Sequence, residues 1–363
     1  MSTERPIGRI NCLKMVRGMG QGRVTMRDIG GVAGVSYATV SYVLSGKGDA
    51  NSIPLATQER VREAAQQLGW RRNHLLSVFL TGKTRMIGLW QLGLGQPYHA
   101  SVMQEMEGLL FKDGYAMLTS PARVKDKEGL GFDLGVFSEW SVDGLVALDG
   151  AHHIRRFFAT HPKWSLPMVN MGWLPVTDYP GLNSVYVDVL TPIRTGLERW
   201  IKEGRQRIAM LTGRYPWDTH LDQRESLYRD VARDHGFEPE IVAFSAEGDQ
   251  RHAAGAALAA HVAAHGYPDA VFCRKDEILL GAYRTLRHRG CAIPKDVALL
   301  GVDGIRDLEF LDHPVSTVKQ PVEKMCQTAW LLLKEQLENS ERPARHVEIE
   351  SRLVWLENGE GAT

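Results

Sequence analysis

The chain has 363 residues, 44% hydrophobic and 24% charged, an ordinary globular composition with enough apolar material for two or three domains. It contains no run of about 18 apolar residues, so a membrane span is not expected. The first 23 residues carry Arg5, Arg9, Lys14, Arg17 and Arg23 and lack the apolar stretch of a secretory leader. The four cysteines, Cys12, Cys273, Cys291 and Cys326, have no paired spacing, which points to a reduced, cytoplasmic protein without a zinc site.

A formal net charge of zero hides an asymmetry. Residues 1–83 hold 12 Lys+Arg against 5 Asp+Glu, while the remaining 280 hold 31 against 38. A basic front end on an acidic body suggests a polyanion partner at one end only.

In chain order, Thr25-Met26-Arg27-Asp28 fits a capping box, and Ile29, Val32 and Ala33 follow at helical spacing. Gly34 ends this helix, because the turn after it needs a positive φ that glycine adopts cheaply. Ser36 is a good N-cap for a second helix from about Tyr37 to Leu44, and Val35 can staple onto Val40 across it. At 100° per residue, Val40, Val43 and Leu44 form the buried stripe. Ala38, Ser41 and Tyr42 point away, with Tyr37 at the edge. A third helix, capped by Thr57, sets Val61, Ala64, Ala65 and Leu68 on one face and stops at Gly69. Two short helices joined by a glycine turn make the helix-turn-helix pattern, whose second helix enters a major groove.

From Thr84 onward, apolar runs alternate with amphipathic helices. Met86–Leu92, Tyr115–Leu118, Gly144–Leu148, Pro167–Met171, Ser184–Val187, Arg207–Leu211, Glu240–Phe244, Ala270–Cys273 and Val297–Gly301 read as strands. That alternation predicts parallel sheets with helices on both faces, and the length accommodates two of them.

These residues carry a family resemblance. Val24–Ile29, Ala33–Ser36, Thr39–Ser41, Val43-Leu44, Thr57–Val61, Ala64-Ala65 and Leu68–Trp70 with Asn73 resemble the headpiece of the LacI/GalR (lactose-repressor-type) regulators. Farther on, Ile87-Gly88, Gln96–Tyr98, Val142–Gly144, Arg224, Asp276-Glu277, Gly301–Asp303 and Ser316–Glu323 resemble the effector domain of that family, itself similar to periplasmic sugar-binding proteins. The resemblance spans about residues 24–357.

It implies an all-α helix-turn-helix headpiece (24–71), a hinge (72–84), and a two-lobed α/β effector and dimerisation domain (85–357). The N-lobe is expected at about 85–187 and 320–348, the C-lobe at about 188–319 and 349–357, and residues 1–23 are read as a disordered extension. Operator DNA would meet Thr25, Ser36, Tyr37, Ala38, Thr39, Ser41, Tyr42, Asn73, Leu76 and Phe79. Phe79 would act as the apolar wedge that kinks the minor groove.

Tyr42 occupies a position that often carries arginine, so a bidentate contact to guanine is unavailable there. With Tyr37 and Ala38 it offers hydroxyl contacts and apolar contact to thymine methyls, and an operator unlike the family's commonest ones is expected.

Ligands of open α/β sheets lie at the C-terminal ends of the strands, which for two lobes is the space between them. The resemblance carries effector contacts to Gln96, Tyr98, Trp173, Trp217, Arg224, Lys275, Asp303 and Gln320, and the effector is expected to be carbohydrate-like. Lys275 stands where the family has a neutral amide. Two readings stay open: an anionic effector, or an ion pair of Lys275 with Asp303. Trp173 and Trp217 can stack on a sugar or simply fill the core, and Asp303 can bond a hydroxyl or merely end its strand.

Enzyme motifs are weak. Gly93-Leu94-Gly95 follows a strand, but Tyr98 stands where a dinucleotide fingerprint needs its third glycine. Adjacent His152 and His153 do not share a metal, and neither cofactor nor catalytic set is expected. The expectation is therefore a homodimeric regulator of palindromic DNA, either sign of effector response being open. No heptad repeat follows Arg352 to build a tetramer. A sugar-binding transport protein of the same two-lobed fold is the alternative.

Overall fold

The structure is a computed structural model describing residues 24–70, 82–91, 96–121, 123–126, 129–131, 137, 142–161, 164–179, 181–215 and 222–356. The extension 1–23, most of the hinge (72–81), and Gly93-Leu94-Gly95 lie outside the described residues. The chain divides into two compact units, Met1–Lys83 and Thr84–Thr363.

In the first unit, α1 (Met26–Ala33), α2 (Tyr37–Leu44) and α3 (Leu55–Gln67) enclose a small core of Ile29, Ala33, Val40, Val43, Val61, Ala64 and Ala65. The predicted capping box is present. Asp28 N–H reaches Thr25 Oγ1 at 3.4 Å, and Thr25 N–H donates to Asp28 Oδ2 at 2.8 Å. Gly34 takes φ 67°, so α1 stops where a β-carbon would be strained. Ser36 Oγ caps α2 by accepting from Thr39 N–H at 3.2 Å.

Two readings need correction. Val32 is 55% exposed rather than part of the buried face, because Ile29 and Ala33 already fill the narrow contact with the other helices. The third helix starts at Leu55, after Pro54, two residues before the expected cap Thr57. Proline before a helix pre-sets its entry without needing a side-chain cap.

The second unit holds two six-stranded sheets. One contains β1 (Met86–Gln91), β2 (Ala116–Pro121), β5 (Gly144–Leu148), β6 (Met168–Gly172), β7 (Asn183–Asp188) and β13 (His346–Glu350), in the order β13-β7-β6-β5-β1-β2, all parallel. The other contains β8 (Ile208–Arg214), β9 (Glu240–Ser245), β10 (Ala270–Cys273), β11 (Ala298–Asp303), β12 (Ser316–Lys319) and β14 (Arg352–Val354). Its order is β14-β12-β11-β10-β8-β9, and only β14 runs antiparallel.

A hairpin of β3 (Arg123–Asp126) and β4 (Gly129–Gly131) was not anticipated. Its residues lack the alternating β-branched pattern that marks a strand.

The connecting helices are α4 (Pro97–Lys112), α5 (Ala151–Thr160), α6 (Leu190–Lys202), α7 (Gln223–His235), α8 (Gln250–His265), α9 (Asp276–His288) and α10 (Val322–Glu338). The chain crosses between sheets three times: from β7 through α6 to β8, from β12 through α10 to β13, and directly from β13 to β14. Each sheet with its helices is a lobe. Central strands such as β5 and β10 are buried along their whole length, as parallel strands covered on both faces must be.

Helices α8 and α9 cross closely because glycines meet there. A β-carbon on Gly281 would lie 2.1 Å from the carbonyl oxygen of Arg251, which belongs to the backbone and cannot swing aside. Gly281→Ala is therefore expected to lower stability by about 1–3 kcal/mol through overpacking, read as a fall in the denaturant midpoint of the full chain. Gly108→Ala, where an added β-carbon meets nothing within 4 Å, serves as the control and should not destabilise.

Candidate functional site

The candidate nucleic-acid interface is the outer face of α2. Tyr37 is 53% and Tyr42 42% exposed, Ala38 is exposed, and Ser41 and Thr39 are half-buried. Helical spacing puts Ala38 beside Tyr42 and Tyr37 beside Ser41 on one surface. Two candidate hydroxyls serve local structure. Thr25 Oγ1 donates to Asp28 Oδ2 at 2.7 Å, and Ser36 Oγ lies 2.9 Å from Thr39 Oγ1. Asn73, Leu76 and Phe79 lie outside the described residues.

In the second unit, the strand ends and helix starts bring seven of the eight candidate effector residues to the seam between the lobes; Trp217 lies outside the described residues. Gln96 immediately precedes α4 in the N-lobe, and Lys275 immediately precedes α9 in the C-lobe. Lys275 Nζ donates to Gln96 Oε1 at 3.0 Å. Of the two readings of Lys275, the ion pair with Asp303 is not what forms. The ammonium reaches across to an amide instead.

A second polar link runs deeper. Buried Tyr98 of α4 donates to Gln320 Oε1 at 3.1 Å, and Gln320 Nε2 donates to Asp303 Oδ1 at 2.9 Å. Gln320 lies between β12 and α10, where the chain passes from one lobe to the other. Asp303 ends β11 with φ 119°, a conformation rare outside glycine, so its open strand-end reading resolves toward a strained, hydrogen-bonded carboxylate. The third link is between rings and charge. The Arg224 guanidinium carbon lies 4.5 Å from the centroid of the Trp173 ring, joining the start of α7 to the segment after β6.

Several residues of this seam were missed in the sequence. Asp222 grips Arg224 through Nη2–Oδ2 at 2.7 Å and Nε–Oδ1 at 2.9 Å, and Arg274 Nη1 lies 3.6 Å from the same carboxylate. Arg224 Nη1 donates to the Arg274 carbonyl at 3.2 Å. Asp276 is buried and accepts from Gly304 N–H at 2.6 Å, Ile305 N–H at 3.0 Å and Thr317 Oγ1 at 2.8 Å, so it is the residue that caps the strand end. His99 Nε2 stands 3.1 Å from Asp149 Oδ2, and both residues approach the seam from the N-lobe. The usable signals were Asp222 one residue before a helix and Asp149 directly after a strand.

Burial sets the charges here. Although burial opposes its ionisation, Asp222 is held well below the ordinary carboxylate range by Arg224. Burial likewise opposes the charge on Arg224, and Asp222 more than restores it. Burial, aided by neighbouring Arg274, pulls Lys275 down to about 8. Burial pushes Asp303 up to about 6, against the pull of Lys275 and Arg224.

These features define a class: a helix-turn-helix domain joined to a two-lobed α/β ligand-binding domain. Residues 25–73 match the family "Bacterial regulatory proteins, lacI family", and residues 197–356 match "Periplasmic binding protein-like domain". The chain is 26% identical over 334 residues to the HTH-type transcriptional repressor PurR of Aliivibrio fischeri, covering 91% of this chain and 96% of that one. It is 26% identical over 339 residues to the HTH-type transcriptional regulator PtxS of Pseudomonas aeruginosa, covering 92% and 95%.

Among solved structures, the lac repressor dimer bound to operator and the anti-inducer ONPF superposes with a TM-score of 0.75 at 18% identity, over 93% of this chain and 99% of that one. The transcriptional regulator CelR with cellobiose gives 0.60 at 24% identity, over 93% and 100%. The chain belongs to the lacI family of DNA-binding transcriptional regulators.

The charge state of Asp303 gives a signed pH effect. A carboxyl whose folded pKa is raised from 3.8 to about 6 contributes stability that is full below 3.8 and lost as the pH rises through 6. Wild type minus Asp303→Asn should therefore show stability falling between those values, measured as denaturant midpoints across a pH series. A flat difference would contradict it.

Proposed function

We propose that this regulator binds a roughly palindromic operator as a cytoplasmic homodimer and that a neutral, hydroxyl-rich effector, carbohydrate-like in chemistry, sets its affinity from a seat between the lobes. One observation carries the reading. Side chains of both lobes meet as matched polar pairs, Lys275 with Gln96 and Tyr98 with Gln320 and Asp303. A ligand that takes over these bonds touches both lobes at once and so biases their relative setting. Coupling of about 1–3 kcal/mol is enough for a useful switch.

Charge balance supports a neutral ligand. Arg224, Arg274 and Lys275 face Asp222, Asp303 and Asp149, three cations against three carboxylates, which leaves no surplus cation to hold an anion. Arg224 already covers a face of Trp173, and the ring stiffens that arginine. The sugars named in complexes of related fold, such as cellobiose with CelR, fit this chemistry. The operator and the dimer named for the lac repressor structure both fit the headpiece reading. A solute-binding protein of the same fold would not account for the lacI-family match of residues 25–73.

Binding lost with the effector and binding lost with DNA are separable. Calorimetry of the full chain against neutral sugars, sugar phosphates, sugar acids and purines should give heat with a neutral sugar. Asp303→Ala and Lys275→Ala should each weaken that binding about 10-fold or more, the cost of a buried hydrogen bond to a charged group. Both variants should still bind operator without effector, as followed by fluorescence anisotropy, because the headpiece residues are untouched. Preferential binding of sugar acids or phosphates would overturn the neutral-ligand reading.

A further inference from the structure

Helix α2 bears no charged side chain along its whole length, Tyr37-Ala38-Thr39-Val40-Ser41-Tyr42-Val43-Leu44. Its aliphatic side is consumed by the core through Val40 and Val43. What it offers outward is the methyl of Ala38, the hydroxyl of Ser41 and two exposed phenol rings, Tyr37 and Tyr42. Around it, described residues 24–70 contain four Lys+Arg (Arg27, Lys47, Arg60, Arg62) and four Asp+Glu (Asp28, Asp49, Glu59, Glu63), a neutral set. The cationic surplus of the front end comes from the flanks: residues 1–23 carry five Lys+Arg and one acid, and residues 71–83 carry Arg71, Arg72 and Lys83 with no acid.

These facts bear on which bases can be read. Guanine presents N7 and O6 acceptors in the major groove and is normally read by a bidentate arginine or lysine, which α2 lacks. Bidentate reading of adenine needs asparagine or glutamine, and α2 has neither. Thymine alone presents a methyl group, and a surface of Ala38 flanked by tyrosine rings suits it by apolar contact. The phenol and Ser41 hydroxyls can add hydrogen bonds to neighbouring acceptors such as thymine O4.

Resting on the operator-binding reading above, we propose that α2 recognises its half-site chiefly through thymine 5-methyl groups, with Ala38 and Tyr42 as the specificity-determining residues and no guanine read by this helix. Phosphate attraction, the sequence-blind part of binding, falls to the flanking cations.

The experiment is selection of the full-length chain on a random duplex library, with and without the metabolite panel, followed by uracil replacement of individual thymines in the selected half-site. Uracil lacks only the methyl, so each replacement facing α2 should weaken binding about threefold or more, the equivalent of one buried methyl. The slope of log affinity against log salt should stay the same, because no phosphate contact changes.

Tyr42→Arg should move the selected sequence toward a guanine and lose sensitivity to uracil at that position. A selected guanine that wild type requires opposite α2, or uracil replacement without effect, overturns the proposal while leaving the operator reading intact. No enrichment of any duplex overturns the operator reading and this proposal together.

Discussion

The body of this protein depends on a buried polar chain at the place where the polypeptide passes between its lobes. Tyr98, Gln320 and Asp303 join an N-lobe helix, a crossing segment and a C-lobe strand end through two hydrogen bonds. In a low-dielectric seam such a chain is costly when incomplete and strong when complete. It therefore favours a definite setting of the lobes. Asp303 bears that cost visibly, in a strained backbone and in a carboxyl pushed up to about 6 by burial. Strain of this kind persists only where the surrounding structure over-determines it.

Around that chain the charges are arranged to cancel. Asp222 pairs with Arg224 and lies beside Arg274, Asp303 and Asp149 face Lys275, and Asp276 spends its oxygens on Gly304, Ile305 and Thr317. The result is a seam rich in directional donors and acceptors yet poor in net charge. Polar ligands that can exchange hydrogen bonds one for one are suited to such a surface, whereas an ion would arrive without a counterpart. In the proposed reading the effector seat and the element that sets the lobes are the same atoms, so occupancy and lobe setting would be linked without any longer pathway.

At the other end of the chain the division of labour is electrostatic. The three-helix unit is neutral in itself, and the surplus of basic residues lies before and after it. A headpiece built this way separates attraction to the phosphate backbone from discrimination among bases, two tasks that respond differently to salt. The exposed tyrosines on α2 fit that separation, since their rings offer apolar contact and their hydroxyls a polar tip without adding charge.

How much could be read beforehand follows from the range over which each cause acts. Local rules were legible: the Thr25–Asp28 capping box, the Gly34 stop, the Ser36 cap, the buried stripe of α2 and the alternation that implies parallel sheets. Each depends on neighbours a few residues away, so the sequence by itself determined the helix-turn-helix and the two-sheet body. What only the tertiary structure decided were pairings over long separations. Lys275 could be given a carboxylate or an anion on paper, and it meets Gln96, 179 residues away. Asp222 and Asp149 carried no motif, and Asp276 lay in a matched stretch without a role, because an acid becomes significant only through what folding buries beside it, and burial is a property of the whole chain.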